Sequence, residues 1–399
     1  MKFLSPSSGY TSLLIVGLIL LGVMTGLNYF LQPFAPAPTP VTTQEAESSV
    51  SPSPSPVPWA GLNQRQKVAQ LIIAPLKIEE STVSGQTTIN QESWQWIQTN
   101  RPGGVILFGT DIRAETVASI SASLTADKNY TPWLAVDHEG GEVQRLLGDG
   151  FTPLPSWRTL CDQTESDRQR VLADSAQELA DVGINLVFGP VVDVASRSAV
   201  LKSRVCSGDP VEVSLAGRQA VSAYREAGIL PVIKHFPGIG TITADLHQRF
   251  SRVNPSNSDG LPFHALLTEF PSLAVMTTFS GVTGVCDNQP CALSPACLSP
   301  LKSRYPKSLL ITDALDMSAA GYSASGSGAL SLPARSSQAI TAGNHLLVYG
   351  PGVTSSDLDS VVDDLSKSYQ NDQRLRSQID HALTQVYGYR QLFLEQNKK

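Results

Sequence analysis

The sequence has little charge and no basic stretch. Of its 399 residues, 16% are charged, and the formal net charge is −6. Nucleic-acid binding needs clustered lysine and arginine side chains to neutralise phosphates, so this composition excludes a nucleic-acid partner. Histidine is scarce, with six residues, and none of the five cysteines belongs to a Cys-x2-Cys pair, which argues against a zinc site. We therefore expect neither a metal nor any other cofactor.

Charge is absent altogether from residues 10–31, a stretch rich in Leu, Ile, Val and Gly. A run of this length and polarity can cross a bilayer. A cleaved signal segment is the alternative, but its apolar core is normally shorter, and no small-x-small cleavage pattern follows closely. We predict an uncleaved transmembrane anchor, with the remainder of the chain outside the cytoplasm; cleavage would make that remainder a secreted protein.

Residues 32–58 are dense in Pro, Ser and Thr and include an alternating Ser-Pro run at 51–56. Such a composition cannot build a core, and it predicts a disordered, solvated linker. A membrane segment followed by a linker holds a domain away from a surface. Residues 59–399 would form that domain.

Five cysteines in an exported chain can form disulfides. The short spacing between Cys286 and Cys291 makes that pair a plausible small loop, and Cys161 with Cys206 is the next candidate, which would leave Cys297 unpaired. The spacing alone does not decide the connectivity.

Beyond residue 60, eight short apolar runs alternate with stretches of helical length. Continuous apolar runs bounded by Gly, Pro or Asp are typical of parallel strands buried on both faces. Eight such units in this length predict an α/β fold, a (β/α)8 barrel of the TIM type. A doubly wound sheet is the alternative, but no Gly-x-Gly-x-x-Gly follows the first strand. The runs are 68–76, 104–108, 133–137, 185–193, 230–235, 273–278, 308–313 and 345–349, and a helical tail is predicted at 354–394.

Polar residues stand where several of these strands end. Asp137 ends the third strand, Lys234 and His235 end the fifth, and Asp313 ends the seventh. An isolated aspartate at such a point usually caps a helix. However, a barrel brings the carboxyl ends of its strands to one rim, where its chemistry is found. We therefore expect these side chains to share a pocket.

A further pair follows the fifth strand, where a Pro-Gly-x-Gly sequence breaks the chain into a loop. Asp245 and His247 are two residues apart, so they would not face each other on a helix but can meet in a loop. A carboxylate beside an imidazole fixes its tautomer and supports its charged form. The pair is therefore a candidate general acid/base.

Several blocks of sequence together carry a family resemblance. Residues 233–240 read Ile-Lys-His-Phe-Pro-Gly-Ile-Gly, and residues 137–145 read Asp-His-Glu-Gly-Gly-Glu-Val-Gln-Arg. With these, the sequence resembles the single-domain β-N-acetylglucosaminidases of glycoside hydrolase family 3 over residues 60–350. The remaining blocks, in the family's order, are 103–108, 188–193, 203–210, 245–247 and 311–317.

The resemblance implies a retaining, exo-acting hydrolase that removes terminal β-N-acetylglucosamine from peptidoglycan fragments or chitin-like sugars. Asp313 matches the family's nucleophile, His247 its acid/base, and Asp245 the carboxylate that orients that histidine. A retaining mechanism needs an anion that bonds to the anomeric carbon and a group that protonates the leaving oxygen. The positions matching residues that hold the sugar hydroxyls and the acetamido group are Asp137, Arg145, Arg204, Lys234 and His235.

The sequence departs from the family pattern at four positions. Glu142 stands where the family has an arginine, Ile239 and Phe279 where it has histidines, and Ala314 where it has an aspartate. None of these changes removes a residue assigned to chemistry or sugar contact. They alter the surroundings of the site and leave substrate range and rate open.

Three alternatives remain. A β-glucosidase of the same fold usually carries a second domain that donates a carboxylate acid/base. The sequence after the predicted barrel is too short for one, so we expect no such domain. A phosphorylase is compatible with a histidine acid/base, which does not repel phosphate. A non-catalytic protein that binds cell-wall sugar is the third. In each case we expect a monomer with a carbohydrate ligand, attached to the membrane through its N-terminal segment.

Overall fold

The computed structural model describes residue 59 and residues 61–80, 87–323 and 329–395. The predicted anchor at 10–31 and linker at 32–58 lie outside these residues. Within the described ranges, no helix combines the length and apolarity needed to cross a bilayer.

Eight parallel strands form a closed barrel. They pair in chain order, and the last strand pairs with the first, with Ile72 opposite Leu347 and Ile73 opposite Val348. This closure confirms the predicted TIM-type barrel and excludes an open doubly wound sheet. The strands are β1 (Ile72–Glu80), β2 (Gly104–Phe108), β3 (Trp133–Val136), β4 (Leu186–Val187), β5 (Leu230–Phe236), β6 (Ala274–Thr277), β7 (Leu309–Ala314) and β8 (Leu346–Val348).

Helices surround the barrel and shield the outer faces of its strands, so that most strand residues are buried. The helices are α1 (Gln64–Ala69), α2 (Gln91–Asn100), α3 (Ala114–Thr125), α4 (Trp157–Cys161), α5 (Glu165–Asp181), α6 (Pro210–Glu226), α7 (Asn257–Glu269), α8 (Pro295–Arg304), α9 (Leu332–Ala342), α10 (Ser355–Asn371) and α11 (Gln373–Arg390).

Short elements lie in the loops between these units. Two pairs of short strands form there, His138–Gly140 with Val143–Gln144 and Arg252–Val253 with Gly281–Val282. A further strand, Thr87–Ile89, pairs with the end of β1. Short helical turns cover Lys202–Arg204, Cys291–Leu293, Ser318–Gly321 and Gln391–Glu395.

Two strand predictions were too long. The first run was predicted to start at residue 68, but residues 64–69 form α1, because Asn63 and Gln66 make a capping box that starts a helix there. The fourth run was predicted to reach residue 193, but β4 ends at Val187. Pro190 follows closely, and a proline has no N–H to contribute to a strand pairing.

The end of the last helix, α11, packs against the end of the barrel opposite the predicted site. The guanidinium of Arg390, on α11, donates to the Gly103 carbonyl and to Oε1 of Gln70, each at 2.6 Å. A side chain at Gly103 would collide with the Gln70 carbonyl oxygen, 1.9 Å from where its Cβ would lie. The predicted helical tail is thus present, and it packs into the base of the domain.

Two disulfides are present among the described residues. Cys161 pairs with Cys206, as predicted, and this bond ties α4 to the loop after β4. The predicted Cys286–Cys291 pair is wrong: Cys291 pairs with Cys297, and Cys286 is a buried free thiol. The turn at residues 291–293 leads directly into α8 and brings the Cα atoms of Cys291 and Cys297 to 5.3 Å, a normal disulfide separation.

Candidate active site

A cavity of about 450 Å³ opens at the carboxyl ends of the barrel strands. Of the eight residues that the sequence proposed, all but Asp245 line it. Apolar side chains such as Phe188 and Met276 form part of its wall, which suits a small, partly apolar ligand. The seven proposed residues along its wall are Asp137, Arg145, Arg204, Lys234, His235, His247 and Asp313.

A buried carboxylate, Glu139, organises the cations on one side of the cavity. Its oxygens accept two hydrogen bonds from Arg204, from Nε at 2.7 Å and from a terminal nitrogen at 3.0 Å. Lys234 Nζ lies 2.5 Å from Glu139 and 3.0 Å from Oδ1 of Asp137. Asp137 and Glu139 are two residues apart, and in an extended chain side chains at this spacing lie on the same face. No role was predicted for Glu139 from sequence, although the alternation Asp-x-Glu after a buried strand is a visible signal of it.

Opposite charges keep these groups ionised despite burial. Burial alone would raise the pKa of Glu139, but Arg204 and Lys234 lower it to about 2. Burial would likewise lower the pKa of Lys234, yet Glu139 and Asp137 raise it. The pKa of Arg204 is also raised, because Glu139 outweighs the effect of burial. The arrangement therefore presents fixed cations and carboxylates to a ligand at neutral pH.

Replacing Glu139 by Gln is expected to destabilise the fold by about 3–5 kcal/mol, because the buried Lys234 and the half-buried Arg204 lose their counter-charge. The folded pKa of about 2 is below the ordinary 4.5. The stabilisation is therefore complete above about pH 4.5 and is lost as the pH falls towards 2, and E139Q should lack this part of the acid dependence. Urea unfolding at several pH values measures both effects.

The matched control for this variant is Glu142→Gln. Glu142 is exposed and lies 3.4 Å from the exposed Lys202, so its loss should change the unfolding free energy by less than about 0.5 kcal/mol. An E139Q protein as stable as the wild type would show that Glu139 does not hold the two cations as described.

A second buried carboxylate, Asp193, positions His235. It is fully buried, and one oxygen lies 2.7 Å from Nδ1 of the ring and accepts from the His235 backbone N–H at 3.2 Å. The other oxygen accepts from the backbone N–H of Ile239 at 2.7 Å. With Nδ1 bound to Asp193, the ring presents its other edge to the cavity. Asp193 ends one of the sequence blocks but was not assigned a role from sequence.

The Asp245–His247 pair forms in the loop after β5. Nδ1 of His247 lies 2.8 Å from Oδ1 of Asp245, and the same oxygen accepts from the His247 backbone N–H at 2.9 Å. Burial would raise the pKa of Asp245, but these hydrogen bonds outweigh it and lower that pKa. The His247 side chain is 70% exposed. Its Nε2 is therefore available to a molecule in the cavity.

Asp313 and Asp316 differ in their surroundings. Asp313 is half-buried in the last part of β7 and accepts from the N–H of the next residue, Ala314, at 2.8 Å. Asp316 also lines the cavity, but it accepts from the backbone N–H of Gly350 at 2.7 Å and so ties the loop after β7 to the end of β8. The two carboxylates thus have different contacts. Asp313 is held at the end of a strand, whereas Asp316 joins two loops.

The departures from the family pattern make ordinary local contacts. Ile239 and Phe279 are buried, at 4% and 0% exposure, so apolar packing replaces ionisable side chains there. Glu142 pairs with Lys202 at the rim. Ala314 lines the cavity beside Asp313.

Comparison with curated proteins finds bacterial relatives. The chain is 30% identical over 250 residues to the beta-hexosaminidase LpqI of Mycobacterium tuberculosis, a match that covers 61% of each chain. It is 34% identical over 234 residues to a beta-hexosaminidase of Chromobacterium violaceum, covering 55% of this chain and 65% of the relative. The chain thus spans somewhat under two thirds of the length of these relatives.

A comparison with solved structures finds the same barrel. The crystal structure of a beta-N-acetylhexosaminidase from Beutenbergia cavernae superposes with a TM-score of 0.70 at 23% identity, covering 82% of this chain and 98% of the other. This likeness concerns the fold. The sequence also matches the Glycosyl hydrolase family 3 N terminal domain over residues 64–387. Because that match covers more than half of the sequence, the chain belongs to glycosyl hydrolase family 3.

Proposed function

We propose that the protein is a retaining, exo-acting β-N-acetylglucosaminidase that hydrolyses terminal β-linked N-acetylglucosamine through a covalent glycosyl-enzyme. The observation that carries this proposal is a cavity lined by both Asp313 and a histidine whose Nδ1 is bound by a carboxylate. The family membership and the names of the relatives agree with it.

In the first half of the reaction, a carboxylate oxygen of Asp313 attacks the anomeric carbon, and a new C–O bond forms as the glycosidic C–O bond breaks. The leaving oxygen takes the proton from Nε2 of His247. Asp245 stabilises the imidazolium that supplies this proton and fixes the ring so that Nε2, rather than Nδ1, faces the substrate.

In the second half, neutral His247 takes a proton from water, and the water oxygen attacks the same carbon from the side that the leaving group vacated. The bond to Asp313 breaks and the carboxylate is regenerated. Two inversions at one carbon return the sugar in its β configuration. The histidine ends protonated and ready for the next substrate.

The sugar is proposed to be held by the polar wall of the cavity. Asp137 and Lys234 lie 3.0 Å apart and offer an acceptor and a donor to neighbouring hydroxyl groups. Arg204 is fixed by its two-point contact with Glu139, so it can bind an acetamido carbonyl without losing side-chain freedom. Arg145 and His235 complete the set of polar groups.

The location is a separate proposal. The uncharged stretch at 10–31 would anchor the protein in a membrane, the Pro/Ser-rich residues 32–58 would space it from the surface, and residues 59–399 would be a monomeric catalytic domain outside the cytoplasm. Peptidoglycan fragments or chitin-like oligosaccharides are the substrates that such a position favours.

The decisive experiment is hydrolysis by the full-length protein of an aryl β-N-acetylglucosaminide beside the matching aryl β-glucoside. We expect the acetamido sugar to be cleaved much faster, and NMR to show a β-configured first product. A glycosyl phosphate formed in phosphate buffer would identify a phosphorylase instead. Cleavage of neither compound would contradict the proposal and favour a sugar-binding protein.

A further inference from the structure

We propose that Phe250 and Tyr322 are positioning residues that hold His247 in place over the cavity. The acid/base role of His247 rests on the function proposed above. We call residues 237–251, which follow β5 and carry His247, the acid/base loop. Phe250 lies in this loop, and Tyr322 lies in the loop after β7, the strand that carries Asp313. The two residues therefore connect the acid/base loop to the loop after β7. His247 and Asp313 must keep a fixed relative position for the proposed reaction.

The side chains of Phe250 and Tyr322 are stacked. Their ring centroids are 3.9 Å apart and their planes differ by 9°. Both residues are half-buried, so the contact removes apolar surface from water as well as bringing the two rings together. Within the described residues, this is the ring pair that joins the acid/base loop to the loop after β7.

Backbone hydrogen bonds join the same two loops at a second point. The N–H of Ser318 donates to the His247 carbonyl at 3.3 Å, and the N–H of Ala319 donates to the Leu246 carbonyl at 3.0 Å. Leu246 is buried, at 3% exposure. These bonds fix the loop at His247 itself, and the aromatic pair fixes it three residues later, so together they oppose rotation of the loop about either point.

The tip of the Phe250 ring is also closely packed. A Cβ at Gly281 would lie 2.7 Å from Cζ of Phe250, so this position has room for the ring only because it is glycine. Gly281 also donates its N–H to the Ser251 carbonyl at 2.9 Å. The ring is thus held between the loop after β6 and Tyr322.

This anchoring matters because the position of the His247 ring depends on the position of the acid/base loop. The His247 side chain is 70% exposed, and Asp245, its hydrogen-bond partner, belongs to the same loop. The pair therefore moves with the loop, and its distance from Asp313 depends on how the loop is attached. A displacement of about 1 Å can cost on the order of 10²-fold in rate. Such a displacement would weaken proton donation while leaving Asp313 and the sugar-binding groups where they are.

The test uses Phe250→Leu and Tyr322→Leu in the full-length protein, with aryl β-N-acetylglucosaminides of differing leaving-group basicity. We expect kcat/KM to fall on the order of 10-fold or more for basic leaving groups, which need a proton, and by less than about 3-fold for the most activated. Tyr322→Phe keeps both rings and should retain the wild-type profile. The double leucine variant should have a kcat/KM no lower than that of the less active single variant, since both changes remove the same contact between the two rings.

The matched control is Tyr387→Leu, which removes a half-buried tyrosine from another ring pair, with Trp59 at 5.3 Å. It should lower the Tm without any dependence on the leaving group. Equal losses across all leaving groups in the Phe250 and Tyr322 variants would overturn the inference. Additive losses in the double variant would also overturn it.

Hydrogen exchange separates this inference from the proposed function. Backbone amides of residues 238–251 should exchange faster in Phe250→Leu and Tyr322→Leu than in the wild type, and Tyr387→Leu should leave them unchanged. Unchanged exchange in the two leucine variants would overturn the positioning role whether or not the protein is active. A wild-type protein that cleaves no aryl glycoside would overturn the proposed function while the exchange result still stood.

Discussion

Asp313→Ala is expected to lower kcat on aryl β-N-acetylglucosaminides on the order of 10³-fold or more while the protein stays folded. The variant loses the anion that stabilises the oxocarbenium-like transition state and forms the covalent bond. Asp313 is half-buried, and its one hydrogen bond within the described residues is to the next N–H along the chain, so its loss should cost little stability. Steady-state kinetics and thermal unfolding measure the two effects.

Asp316→Ala is the matched control for this variant. Because Asp316 accepts from the Gly350 N–H, its loss should loosen the contact between the loop after β7 and the end of β8, and lower stability more than activity. A slow, fluorinated amino-sugar substrate should label Asp313. A label on Asp316 together with an active Asp313→Ala variant, or an α-configured first product, would refute the assignment of the nucleophile.

His247→Ala is expected to lower kcat/KM by about 10²- to 10⁴-fold for substrates with basic leaving groups, and far less for activated aryl glycosides. Only the former need a proton from the enzyme as the glycosidic bond breaks. A plot of rate against leaving-group basicity, compared between variant and wild type, measures this difference. A uniform loss would point to misfolding or to a role in sugar binding.

Asp245→Asn is the companion variant, because it keeps a hydrogen-bond acceptor and removes the charge. The lowered pKa of Asp245 means that it is ionised wherever His247 works as an acid. Because this anion faces the ring that donates the proton, its removal should change the pH profile of activity. The loss of rate should be smaller than for Asp313→Ala. An unmoved profile would show that Asp245 acts on loop structure alone.

The barrel could be predicted because its strands are covered on both faces and so appear as uninterrupted apolar runs. The errors arose at strand ends, where local chemistry competes with the pattern. Residues 68 and 69 are apolar enough for a strand, but the capping box at Asn63 and Gln66 places them in a helix. The second disulfide was mispredicted because Cys291 has a partner at short spacing on either side, and the turn that selects Cys297 is not evident from spacing.

The part of the candidate site that could be predicted consists of side chains at the carboxyl ends of barrel strands. Lys234, His235 and Asp313 stand at strand ends, where the barrel gathers them. Glu139 and Asp193 were missed because a buried carboxylate and a surface one look alike in a sequence. Only the fold brings Glu139 between Lys234 and Arg204, and only then is its role evident.

The charges of this cluster also bear on how substrate reaches the site. Arg204 and Lys234 contribute two positive charges, and Asp137 and Glu139 contribute two negative ones, at contact distances. A balanced set of this kind produces little field beyond its own contacts, and the buried members are screened little by dissolved ions. It therefore gives no long-range attraction towards a neutral sugar, and capture of such a sugar would be governed by local concentration rather than by ionic strength.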